Sequence, residues 1–111
     1  MEIYNGGKLI KLTRGDTNII TIGKLTINGE ERQPDSGILS VKKSLNDTEY
    51  TFQAELVDKE FAITPALTEE LAAGVYVYDI ELIIDGNVVT VLKGTMQIEA
   101  DVTRHGVDDD D

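Results

Sequence analysis

Residues 67–104 read LTEELAAGVYVYDIELIIDGNVVTVLKGTMQIEADVTR, and the fold is decided in this stretch. From Tyr76 the even positions are Tyr76, Tyr78, Ile80, Leu82 and Ile84, while Asp79 and Glu81 fall on odd ones. A period of two marks a strand buried on one face. Beyond Asp85-Gly86, Leu92, Met96 and Ile98 alternate with Lys93, Thr95, Gln97 and Glu99, so a second strand returns with its own wet face. The pair is a β-hairpin.

The turn is constrained by that pattern. A two-residue loop at Asp85-Gly86 would set Tyr78 against Lys93 and Asp79 against Leu92, mismatching the buried faces. A three-residue loop, Ile84-Asp85-Gly86, with Gly86 in the left-handed conformation, instead predicts Tyr78 opposite Leu92 and Tyr76 opposite Gly94.

Working outward, Lys8–Leu12 predicts a short edge strand whose lysines discourage edge-to-edge pairing. Thr13-Arg14-Gly15-Asp16-Thr17 is a turn, and ordinary turn chemistry accounts for the Arg-Gly-Asp tripeptide that integrin ligands also use. Asn18–Ile27 predicts a strand with a bulge at Gly23, where the apolar phase changes between Ile22 and Leu25. Asn28-Gly29 closes it, and Glu30–Gly37 reads as a polar loop. Ile38–Leu45 follows as a strand with Leu39 and Val41 inward. Tyr50, Phe52, Ala54 and Leu56 alternate in the next, and Phe61 and Ile63 lie on another that Pro65 stops. Thr68 with Glu69 and Glu70 predicts a helix start, the hydroxyl capping free amides and Gly74 ending the single turn.

This predicts an all-β, immunoglobulin-like antiparallel β-sandwich of about seven strands with one short helical turn, its turn signals recurring roughly every eight to twelve residues. Tyr76 falls where such domains carry a corner tyrosine, its hydroxyl bonded back to the helical turn, with Tyr78 in the core. The 111 residues suit one domain that buries roughly two-thirds of its unfolded surface, with residues 1–104 forming the sandwich and 105–111 a flexible acidic tail. No cysteine is present, so disulfides contribute nothing. The first residues hold no apolar run long enough for a signal peptide, and no segment approaches a membrane span.

Charge excludes further partners. The formal net charge is −11. Nucleic acid is not expected, since the one adjacent basic pair is Lys42-Lys43 with no aromatic interleaving. His105 is the single histidine, so zinc signatures and serine or cysteine nucleophile pairs cannot be assembled within one chain. Asp79 and Glu81 read as the wet face of a strand rather than an acid–base pair. The expectation is no enzyme, cofactor, metal or small-molecule substrate. The run Asp108–Asp111 reads as a solvated end, with calcium ligation or an interaction tail as the alternatives.

Four motifs occur in order: Leu12-Thr13-Arg14-Gly15-Asp16-Thr17, Leu71-Ala72-Ala73-Gly74-Val75-Tyr76-Val77-Tyr78-Asp79, Gly94-Thr95-Met96-Gln97-Ile98 and Asp101-Val102-Thr103-Arg104. The series resembles small β-sandwich domains of tailed-phage structural proteins, including the N-terminal domains of baseplate and receptor-binding components. The resemblance implies a virion protein made in the bacterial cytoplasm, assembled with other virion proteins or with itself. A candidate assembly surface would set basic Lys8, Lys11 and Arg14 against the acidic end that begins at Asp101, with Arg104 beside it. The alternative is a carbohydrate- or protein-binding β-sandwich module outside a virion. For sugar stacking, Tyr4 and Tyr50 are the aromatics not assigned to the core.

Overall fold

The computed structural model describes residues 1–23, 25–27 and 29–101. Ten strands and one turn of α-helix follow one another as β1 (Glu2–Tyr4), β2 (Leu9–Thr13), β3 (Asn18–Thr21), β4 (Leu25–Ile27), β5 (Glu30–Arg32), β6 (Ser36–Lys42), β7 (Phe52–Val57), β8 (Glu60–Ile63), α1 (Pro65–Thr68), β9 (Gly74–Ile84) and β10 (Asn87–Glu99). Eight strands form a curled sheet in the order β1-β2-β10-β9-β6-β7-β8-β3, and β4 and β5 pair separately. The all-β sandwich expectation holds, with more strands than the turn signals suggested. All pairings are antiparallel except β2 with β10.

Strand β7 makes the corner between the layers. Its residues Phe52–Glu55 pair with β6, whereas Leu56 and Val57 pair with β8. The two layers close over one core that includes Leu12, Leu39, Phe61, Ile63, Ile80, Leu82 and Met96. Leu39 and Val41 point inward and are fully buried, as their spacing requires.

The central hairpin keeps even residues opposite even ones near the corner, but by a different device. Ile84 pairs with Asn87 across a two-residue Asp85-Gly86 turn, both residues at positive φ (52° and 81°), which is the I′ type whose twist suits hairpins. The extra residue is Val91, where the register shifts between Thr90 and Leu92. The predicted Tyr78–Leu92 and Tyr76–Gly94 partners are therefore corrected. Gly94 faces Tyr78, Met96 faces Tyr76 and Lys93 faces Asp79.

Further expectations change: Glu30–Gly37 is no plain loop, since β5 forms there and β6 starts at Ser36, and Tyr50 lies before β7 rather than on it. β2 is an interior strand between β1 and β10, so the edge is β1. Asn18–Ile27 is not one bulged strand, because β3 ends at Thr21 and β4 belongs to the other sheet. The helix occupies Pro65–Thr68, with Pro65 at its first turn where a missing N–H costs nothing. Thr68 ends it rather than capping its start. Its hydroxyl is fully buried and accepts the Gly15 N–H at 2.9 Å, joining the Thr13–Thr17 turn to α1.

Thr68→Val removes that acceptor and leaves a buried N–H without a partner. The expected cost is about 1–3 kcal/mol in a urea titration, with Thr68→Ser losing less because it keeps the oxygen. The corner tyrosine is where its spacing placed it. The Tyr76 hydroxyl donates to the Ala72 carbonyl at 2.6 Å, in the loop four residues beyond α1 rather than on the helical turn itself.

Candidate functional site

An apolar concavity lies between the two end strands of the curled sheet. The chain builds it from four distant segments. A 3-10 turn at Asn5–Gly7 links β1 to β2, with Asn5, Gly6 and Gly7 all at positive φ. The Tyr78 hydroxyl reaches across from β9 and donates to the Gly7 carbonyl, pinning that turn to the main layer. The Val91 bulge moves Val91 outward and turns Leu92 toward Gly7. From the opposite layer, β3 brings Ile20 and the following residue Ile22.

The resulting groove encloses about 320 Å³ and includes Ile3, Ile10, Ile20, Ile22, Ile80 and Leu92 in its lining. Its rim is wet and its floor dry: Ile3 is 51% exposed, whereas Ile10 and Ile80 are buried. Both end strands of the sheet, β1 and β3, contribute residues to it. Among the described residues no acid or base lines it. Its chemistry is therefore burial of apolar groups and hydrogen bonding by backbone.

Burial pushes the Tyr78 phenol up to about 12. The folded chain thus favours the neutral phenol over the unfolded chain, whose tyrosines titrate near 10. The contribution is whole below pH 10 and is lost as pH climbs from 10 toward 12. Denaturation midpoints should fall across that window in the parent. Tyr78→Phe should show a shallower fall.

A second, polar cleft of about 560 Å³ is lined by residues that include Lys43, Asp47, Glu49 and Tyr50. The ring of Tyr50 is 52% exposed, but the Lys42 ammonium sits 5.0 Å from its centroid and also donates to the Asp47 carbonyl. Tyr4 is arranged alike, under Lys11 at 5.4 Å with its hydroxyl on Glu2. One face of each candidate platform is thus covered by a cation. Among the described residues, no three His, Cys, Asp or Glu side chains group as metal ligands.

The residues of the candidate assembly surface do not form one patch. Lys8 is exposed after the 3-10 turn, and its carbonyl accepts the Thr95 N–H. Lys11 lies on β2 beneath the Tyr4 contact. Arg14, beyond the far end of β2, is partly buried, bonding the Asp101 carboxylate and the Leu71 carbonyl at 3.0 Å each. Of the basic and acidic members named for a contact between molecules, Arg14 and Asp101 are joined to each other within the chain. Arg104 and residues 105–111 lie outside the described residues. Sequence reading missed the groove because its lining comes from four distant segments, around Ile3–Ile10, Ile20–Gly23, Ile80 and Val91-Leu92.

No family model matches the chain, and no curated protein matches it. Among solved structures it is similar to CopC from Methylosinus trichosporium OB3b, with a TM-score of 0.51 and 16% identity over 84% of this chain and 85% of that one. At that identity the likeness is one of fold.

These findings overturn the tailed-phage resemblance, and with it the virion location and the tail or baseplate role. Local physics accounts for three of the four motifs that suggested it; the fourth lies outside the described residues beyond Asp101. The Leu12–Thr17 turn docks on Thr68, Leu71–Asp79 is a tyrosine corner, and Gly94 lets β10 approach the backbone before β2.

Proposed function

We propose that this chain is a non-catalytic protein-binding module that takes a partner polypeptide in the groove between β1, β3 and the Val91 bulge. The observation that carries the reading is an open apolar concavity flanked by the two end strands of the sheet. Concave, mostly apolar sites with a few convergent polar groups are where proteins hold ligands. Here, among the described residues, the polar groups are main-chain apart from the Thr21 hydroxyl, which suits a polypeptide better than a charged metabolite. The Tyr50 cleft is polar and one face of its ring is engaged by Lys42, which favours the groove over a carbohydrate platform.

Site-specific photo-cross-linking tests this. A benzophenone side chain in place of Ile3 is expected to yield a protein adduct of defined mass in extracts of the source cells, competed away by unmodified chain. The same probe in place of Val57, which is 65% exposed outside the groove, should yield none. Equal labelling from both positions, or adducts only from a probe at Tyr50, would overturn the reading.

A further inference from the structure

Backbone geometry at β3 narrows what the groove takes. The Ile22 N–H donates to the Lys59 carbonyl at 2.8 Å, extending by one residue the ladder in which Ile20 faces Phe61 and Asn18 faces Ile63. In an antiparallel ladder, residues bonded to the partner alternate with residues whose N–H and C=O point away. Asn18 and Ile20 therefore turn their main-chain groups toward β8, and Ile19 and Thr21 turn theirs away from it. Among the described residues no strand lies on that side, because β3 ends the sheet. The side chains of Ile20 and Ile22 reach into the groove, while that of Ile19 remains 46% exposed on the outer face.

Resting on the reading of a protein-binding groove, we propose that the occupant is an extended segment of another protein that adds to the sheet as a strand beside β3. The unpaired Ile19 and Thr21 groups would bond its backbone, and its alternate apolar side chains would fill the space among Ile3, Ile22 and Leu92. Strand addition supplies affinity through main-chain bonds and selectivity through every second side chain. The free edge and the groove beside it meet those two needs at one place.

Charge selects the partner's chemistry. A second copy would bring −11 against −11, an arrangement that repels over long range at low salt. A basic segment is attracted, and a neutral one is at least not repelled. The occupant is therefore a strand alternating apolar and small polar residues, with lysine or arginine at its ends.

The test uses a fluorescent nine-residue peptide that alternates valine and threonine between terminal lysines. Two counterparts are N-methylated so that each lacks the N–H groups of one strand edge. By anisotropy against the full chain, the parent peptide is expected to bind, and at least one counterpart to bind tenfold or more weakly. Amide exchange at Ile19 and Thr21 should slow at least tenfold on addition of the parent peptide. Ile19→Pro removes an outward N–H and leaves the β8 ladder intact, a position where proline is tolerated. It should weaken binding by tenfold or more, with circular dichroism confirming the fold.

Parent and both counterparts binding alike, with Ile19→Pro unaffected, would overturn strand addition and leave the protein-binding module standing. No peptide binding at all would likewise overturn the proposal, with the cross-linking result then deciding the module separately. A concentration-dependent dimer that Ile19→Pro abolishes would overturn the choice of a basic partner and make the occupant a second copy.

Discussion

Gly94→Ala is expected to lower the stability of this protein by about 4 kcal/mol, from about 1–3 kcal/mol of overpacking plus a lost hydrogen bond. A Cβ on Gly94 would lie 2.6 Å from the Lys8 carbonyl oxygen and 2.8 Å from that of Gly7. Both obstacles are backbone, so no side chain can swing aside. The segment cannot withdraw without loss, because the Lys8 carbonyl accepts the Thr95 N–H at 2.9 Å and the Gly7 carbonyl accepts the Tyr78 hydroxyl. Urea titration measures the effect. Gly23→Ala is the control, since nothing lies within 4 Å of its Cβ and its φ is ordinary, so it should change stability by less than about 0.5 kcal/mol. If Gly94→Ala matched that control, the close approach of β10 to the start of β2 would be wrong.

Phe61→Ala should cost about 3–5 kcal/mol, the range for removing a fully buried aromatic side chain and leaving a partly collapsed void. Phe61 is completely buried on β8, facing Ile20 on one side and Leu56 on the other. It stands just past the corner where β7 changes partners, so the void would open between the layers rather than within one. Against a typical domain stability of about 5–15 kcal/mol, the variant would sit near the edge of folding. A calorimetric midpoint reduced by only a degree or two would show that the corner repacks around the loss. Phe61→Leu keeps most of the volume and should cost less than about 2 kcal/mol.

What the sequence shows and what it hides divide along one line. Patterns within a strand are legible because a side chain's face depends on parity alone, so Leu39, Val41, Tyr76 and Tyr78 are inside as their spacing demands. The corner tyrosine is legible for a related reason, its partner Ala72 lying four residues away. Registers are harder. The parity conflict at Asp85-Gly86 correctly demands one extra residue, but a turn and a bulge satisfy parity equally well, and only the packing of Leu92 against Gly7 favours Val91 as the place. Neighbours in the sheet are harder still. Lys8 and Lys11 fit the usual look of an edge strand, yet β1 covers that edge with three residues, Glu2–Tyr4, too few to announce themselves. The groove has no signature in any one stretch, since residues near positions 3, 21, 80 and 92 meet there only after the sheet has curled.

The parallel pairing of β2 with β10 has a consequence for how the chain reaches its fold. Thr13 finds its partner at Glu99, and the Arg14 guanidinium finds Asp101, 87 positions downstream. On a ribosome, β2 and Arg14 wait until residues 95–101 have been made before these partners emerge. Topologies dominated by such distant pairings fold slowly, in milliseconds to seconds, because the loop entropy is lost before the contacts repay it. Until then the apolar face of β2, with Ile10 and Leu12, stays open to other chains. Nascent chains arrested before residue 95 should therefore be protease-sensitive throughout, whereas chains arrested with residue 101 clear of the exit tunnel should become resistant in a single step.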